Sequence, residues 1–171
     1  MKLKRVDGQE GEIDLASFAG KPVLIDFFAT WCKPCETVAP IIASAAVKLK
    51  EQGVLTIGVT LDTKQTLPNL PAFIAKMGIT YPVLGEGLGW DSEVDDAWHV
   101  DGIPAAVLVS ADGKVLAVEQ DLIGATVDET VANVLGRLGQ QAKAAPAADG
   151  KKPIDPAKPA APAKPGDGFI P

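Results

Sequence analysis

The chain has 171 residues, 22 of them acidic and 16 basic, for a formal charge of −6, with two cysteines and one histidine. That length suits one ordinary domain. An acidic chain without basic clusters is a poor nucleic-acid binder, two cysteines are too few for a disulfide scaffold, and with a single histidine they do not complete a structural zinc site unless carboxylates join them.

Met1-Lys2-Leu3-Lys4-Arg5 is not followed by an apolar stretch, so no secretory signal is read there. No apolar run reaches the ~18 residues of a membrane span. Residues 2–6 and 12–14, around Asp7-Gly8, read as an opening hairpin. After the turn Ala19-Gly20-Lys21-Pro22, residues 23–29 are almost continuously apolar, the pattern of a central strand covered on both faces. From Lys33 to Gln52, Val38, Ile41, Ile42, Ala45, Ala46 and Leu49 recur at helical spacing. Pro34 falls in the first turn, where a missing N–H costs nothing. Pro40 lies inside and predicts a kink, and Gly53 ends the helix. Residues 54–61 form a second buried strand, residues 69–77 a helix closed by Gly78, and Tyr81 to Leu84 a short extended segment. Ser92 with Asp95 has the capping-box pattern for a helix through Trp98. Gly102-Ile103-Pro104 precedes a strand over residues 105–110, which Asp112-Gly113 turns into a partner strand over residues 114–120. Thr126-x-x-Glu129 opens a last helix to about Leu138, with Val127, Val131, Val134, Leu135 and Leu138 on its apolar face.

This order makes the first half parallel, with right-handed crossovers, and the second half antiparallel. The expected class is an α/β sandwich with a mixed central sheet. Residues 141–171 change character, with nine Ala, seven Pro and five Lys against three Asp. Such a stretch cannot bury enough apolar surface to offset its ordering entropy, so a disordered or polyproline-like tail is expected there. The folded domain is assigned to residues 1–140, which carry a net charge of −8.

A C-x-x-C pair at a helix start, directly after a buried strand, has a chemical logic. Cys32 then sits at the helix N-terminus, where unpaired N–H groups and the helix dipole stabilise a thiolate. Cys35, one turn in, is covered. The first thiol is expected to be acidic and exposed, the second protected. Cys32 attacks a substrate disulfide to form a mixed disulfide, and Cys35 then attacks Cys32 and frees the reduced substrate. Pro34 stiffens the loop and Lys33 adds positive charge beside the thiolate. The competing readings are a structural disulfide or an inert pair, against which the strand-to-helix position stands. A metal site lacks a second C-x-x-C, and His99 stands alone.

Val23 to Pro40, V-L-I-D-F-F-A-T-W-C-K-P-C-E-T-V-A-P, resembles the active site of the thioredoxin superfamily. Gly102-Ile103-Pro104 resembles its cis-proline loop. The longer spacing between these motifs, an insert over about Asn69 to Trp98, is similar to the TlpA/ResA-like thiol–disulfide oxidoreductase branch. So are the Asp7-Gly8 hairpin and the Phe18-x-Gly20-Lys21-Pro22 lead-in. The resemblance spans about residues 2–138. It implies a thioredoxin-like three-layer sandwich, its mixed sheet flanked by helices, with a helix–strand insert before the cis-proline. It also implies that Cys32 is the nucleophile, Cys35 the resolving thiol and Pro104 the cis-proline. Ile103 then offers its backbone to a substrate strand, and Trp31, Lys33 and Pro34 help form the docking surface. Asp26, six residues before Cys32, matches an acid that helps deprotonate the resolving thiol in thioredoxins. Burying a carboxylate in an apolar strand is costly unless it stays protonated or has a role. The lysine that thioredoxins carry nearby is missing from Thr56-Ile57-Gly58-Val59, so desolvation should dominate and raise the pKa of Asp26.

The activity implied is reduction of protein disulfides; Ile103 before Pro104 resembles the reducing members. The alternatives are a thiol oxidant or isomerase, and a redox-regulated binding or scaffold domain. A peroxidase of the peroxiredoxin type wants a Pro-x-x-x-Thr-x-x-Cys site, which the residues before Cys32 do not supply. Expected partners are protein thiols and disulfides and an upstream electron-donor protein, with no nucleic acid. A monomer is expected, with no metal and no cofactor beyond the redox-active Cys32–Cys35 disulfide. An extracytoplasmic location, on the bacterial periplasmic side with the native anchor removed, is favoured over a cytoplasmic one. Trp90, Trp98 and His99 lie among Glu86, Asp91, Glu93, Asp95, Asp96 and Asp101; a solvated helix face with its aromatics in the core is favoured there over a partner-recognition insert.

Overall fold

The computed structural model describes residues 2–92 and 97–144. Strands β1 (Lys2–Lys4) and β2 (Glu12–Asp14) form the opening antiparallel hairpin. The main sheet has five strands: β3 (Val23–Phe28), β4 (Leu55–Thr60), β5 (Val83–Leu84), β6 (Ala105–Val109) and β7 (Val115–Glu119). Their spatial order is β5-β4-β3-β6-β7. β3, β4 and β5 run parallel, while β6 and β7 are antiparallel to their neighbours. The sheet is therefore mixed, and its parallel half is fed by helices α1 (Cys35–Glu51) and α2 (Leu70–Met77).

All six residues of β3 are buried. Leu24 and Phe28 face the helices: Leu24 packs with Ala45 and Leu49 of α1, and Phe28 with Ala39 and Ile42 of α1 and with Phe73 of α2. The Phe28 and Phe73 rings stack with centroids 5.4 Å apart. The last helix, α3 (Val127–Ala144), covers the β6–β7 side of the same face through Val127, Val131 and Val134. The opposite face buries Val23, Ile25 and Phe27 under Leu3 and Ile13 of the hairpin, Phe18, and the chain at Trp98 and Val100.

Local signals account for the helix ends. Gly53 has φ 80°, and the amides of Gly53 and Val54 return to the carbonyls of Lys50 and Leu49 at 3.0 Å. Gly78, with φ 70°, closes α2 in the same left-handed conformation. At α3 the Glu129 amide donates to Thr126 Oγ1 at 3.2 Å, while the Glu129 carboxylate reaches back to the amide of Ala125 at 2.8 Å, one residue beyond the expected reciprocal partner.

The structure corrects several expectations. α1 begins at Cys35 instead of Lys33, because Lys33 and Pro34 form a turn ahead of it. Pro40 does lie inside α1, as its sequence position leads one to expect. α3 continues to Ala144, past the boundary assigned at residue 140, since Gln140, Gln141, Ala142, Lys143 and Ala144 are all good helix formers. The remainder of the proposed tail, residues 145–171, lies outside the described residues. So do residues 93–96 of the expected Ser92–Trp98 helix, including Asp95. Trp98 packs into the core as expected, but Trp90 is 43% exposed, because residues 89–91 form a short 3-10 turn on the surface. No helix among the described residues is long and apolar enough to cross a membrane.

Candidate active site

β3 delivers its C-terminal end to the loop Ala29-Thr30-Trp31, and α1 starts four residues later. Cys32 and Cys35 face each other across that turn as a disulfide, with S–S 2.04 Å and Cα–Cα 5.3 Å. Pro34 at the head of α1 makes no side-chain cap. In its place, Cys32 Sγ accepts the amide hydrogen of Cys35 at 3.2 Å. The first donor of the helix therefore points at the sulfur expected to carry negative charge.

Cys32 was expected to be exposed, and here the structure differs. It is 4% exposed and Cys35 is 0% exposed. Bonded to Cys35, the sulfur is drawn into the apolar cluster of Phe28, Ala39 and Tyr81. Its neighbours Trp31, Lys33 and Pro34 are exposed, so the cystine lies flush within an accessible collar. Lys33 is not a bare charge beside the sulfur. Its Nζ sits 3.1 Å from Glu36, which also holds Lys76 of α2 at 3.0 Å. The two ammonium groups, Lys76 first, keep the Glu36 carboxyl below its ordinary range.

The Ile103–Pro104 bond is cis. Ile103 is half-buried and packs against the cluster that contains both cysteines.

Asp26 is 1% exposed, on the α1-facing side of β3 between Leu24 and Phe28. Burial pushes its carboxyl up to about 7, against the opposing effect of one hydrogen bond. That bond comes from Tyr81, whose hydroxyl donates to Asp26 Oδ2 at 2.6 Å. The missing lysine thus has a neutral replacement that the sequence analysis did not find. Gly58 in the middle of β4 was the available signal, because a glycine inside a strand marks a close approach.

A second group also escaped notice. Asp62 is fully buried just beyond β4. Its carboxylate accepts from the Thr30 amide at 3.1 Å, the Thr30 hydroxyl at 2.7 Å and the Thr60 hydroxyl at 2.6 Å. These bonds tie the loop before Trp31-Cys32 to the sheet. Asp62→Ala is expected to lower stability by about 3 kcal/mol, because it strands the buried Thr60 hydroxyl and the part-buried amide and hydroxyl of Thr30. Urea unfolding of the oxidised protein would measure this, and a loss below about 1 kcal/mol would mean that water replaces the carboxylate.

Comparison with known proteins agrees with this arrangement. The AhpC/TSA family profile matches residues 1–118. The thiol–disulfide oxidoreductase ResA of Bacillus subtilis (strain 168) is 34% identical over 107 residues, which cover 62% of this chain and 56% of that protein. ResA of Bacillus thuringiensis subsp. konkukian (strain 97-27) is 32% identical over 127 residues, covering 74% of this chain and 69% of that one. Among solved structures, a thioredoxin-family thiol:disulfide interchange protein from Chlorobium tepidum TLS superposes with TM-score 0.64 at 27% identity, covering 81% of this chain and 93% of its own. A secreted Mycobacterium tuberculosis disulfide oxidoreductase, 23% identical with TM-score 0.65 over 80% of this chain and 95% of its own, shares the fold.

Proposed function

The chain belongs to the AhpC/TSA family of the thioredoxin superfamily, among the ResA-like thiol–disulfide oxidoreductases, and from there we propose that it reduces protein disulfides through Cys32 and Cys35. The observation that carries this reading is the redox pair at the head of α1, with the first helical amide aimed at Cys32 Sγ. In the reduced protein that amide and the helix dipole favour a Cys32 thiolate. The thiolate attacks one sulfur of a substrate disulfide, and the other sulfur leaves with the bonding electron pair. Cys35 then gives its proton to Asp26, its thiolate attacks Cys32, and the second substrate sulfur departs. The substrate gains two electrons and the enzyme is left with the Cys32–Cys35 disulfide.

Asp26 suits the acceptor role because a carboxyl raised to about 7 can both take and release a proton near neutral pH. Ile103, ahead of the cis-proline Pro104, offers backbone for a substrate strand, and exposed Trp31, Lys33 and Pro34 frame the entry. The same reading carries action as a monomer, no cofactor beyond the cysteine pair, electrons from an upstream donor protein, and an extracytoplasmic location on the periplasmic side of a bacterial membrane.

Equilibration with glutathione and dithiothreitol buffers tests the direction. A reduction potential near about −270 mV, or moderately above it, is expected for a reductase. A value near about −120 mV would mark an oxidant, and one well below about −300 mV with slow thiols would mark a locked structural bond.

A further inference from the structure

Tyr81 belongs to the segment entering β5, yet it bonds to Asp26 two strands away. The sheet register shows how. Val83 pairs with Gly58, and Gly58 pairs with Asp26, so the three lie in one row across β5, β4 and β3. Tyr81, two residues before Val83, reaches along that row over β4. It crosses where β4 has no side chain: a Cβ on Gly58 would stand 3.2 Å from Tyr81 Cε2, 3.0 Å from Phe28 Cε1 and 3.3 Å from Val83 Cγ2. The glycine is a slot for the phenol ring. We propose that Tyr81, seated in the Gly58 slot, is a positioning residue that aims the Asp26 carboxyl and sets how readily it takes the proton of Cys35.

The proposal rests on the reading of Asp26 as proton acceptor. The other groups around Asp26 leave Tyr81 as its tuning partner among the described residues. β6 contributes Ala106 opposite Asp26. β4 contributes the hydroxyls of Thr56 and Thr60 on that face, and Asp62 beyond its end is taken up by Thr30 and Thr60. The buried face of α1 carries Cys35 and otherwise apolar residues, with Cys32 ahead of it, and α2 presents Leu70, Phe73 and Met77. Glu36 and Lys76 pair with each other at the surface. A donated hydrogen bond favours the charged carboxylate, so the hydroxyl of Tyr81 keeps Asp26 more readily ionised than burial alone would leave it.

The test is the pH dependence of the resolving step, followed as release of thiol from a Cys32 mixed disulfide. Tyr81→Phe keeps the ring and removes the hydroxyl. Its midpoint is expected to move up by about one pH unit, so that resolution below the midpoint slows about tenfold. Tyr81 is the one tyrosine of the chain, so fluorotyrosine labelling places a single probe on the intact fold. Its fluorine resonance should titrate with the wild-type kinetic midpoint and stop titrating in Asp26→Asn. An unmoved midpoint in Tyr81→Phe, or a resonance blind to Asp26, overturns the proposal. If Asp26→Asn itself leaves the pH profile unchanged, the acceptor reading beneath it has failed instead.

Discussion

Cys35→Ser is expected to stop turnover and to leave Cys32 captured as a mixed disulfide with a substrate protein. The expectation follows from the division of labour at the head of α1. Cys32 has the helix amide and the accessible collar, whereas Cys35 is fully buried and can meet only a sulfur already bonded to Cys32. Removing the resolving thiol leaves the first attack intact and blocks the second. Turnover of a disulfide-bonded protein with dithiothreitol as donor should fall by about three orders of magnitude or more, the scale on which loss of a reacting group costs catalysis. Cys32→Ser should lose the same activity but trap nothing. Non-reducing electrophoresis after mixing separates the two variants. Equal trapping by both would assign the nucleophile wrongly, and near-normal turnover in either would end the dithiol mechanism.

Asp26→Asn is expected to make the protein more stable at alkaline pH while slowing resolution. The Asp26 carboxyl is raised from 3.8 to about 7 by burial. The folded state therefore keeps a proton that the unfolded chain has released between those two values. Stability is full below pH ~3.8, falls by about 1.4 kcal/mol for each pH unit across the window, and levels off above pH ~7. The total loss is on the order of 4 kcal/mol. Asparagine carries no charge to bury and still accepts the Tyr81 hydrogen bond, so its stability should not show this decline. The depressed carboxyls of Asp7, Glu36 and Asp112 have the opposite sign and act at the acid end of the window and below it, where acid removes what they contribute. Urea unfolding of both proteins from pH 4 to 9 measures the difference. Parallel curves would mean that Asp26 titrates as an ordinary carboxyl.

Much of the fold was legible because its signals are local. The apolar runs that became β3, β4 and β6, the helical periodicity of residues 38–49 and the glycines closing α1 and α2 all act within a few residues. The cysteine pair and Ile103-Pro104 were legible as motifs. What escaped depends on register. Nothing local shows that Val83, Gly58 and Asp26 lie in one row, so Gly58 could mark a close approach without naming Tyr81 as what approaches, whereas the absence of a lysine and the resulting effect of burial on Asp26 were legible. Asp62 looked like any polar residue after a strand until Thr30 folded against it. The burial of Cys32 follows from its bond to Cys35 and from the packing around it. Trp90 and Trp98, eight residues apart in one acidic stretch, part company because only Trp98 returns to the sheet.

The opening hairpin has a consequence for assembly. Arg5 pairs with Leu84, the amides of Val6 and Gly85 bond to Val83 and Lys4, and Asp7 takes the Val83 amide. The outer edge of β5 is thereby occupied, and among the described residues β7 is left as the lateral edge of the sheet with unused backbone groups. Two copies that joined through β7 of the five-stranded sheet would meet about a twofold axis, with the β5 edge of each sheet still covered by its own hairpin. Among the described residues, pairing through β7 would thus consume the uncovered edge of the five-stranded sheet at its first step.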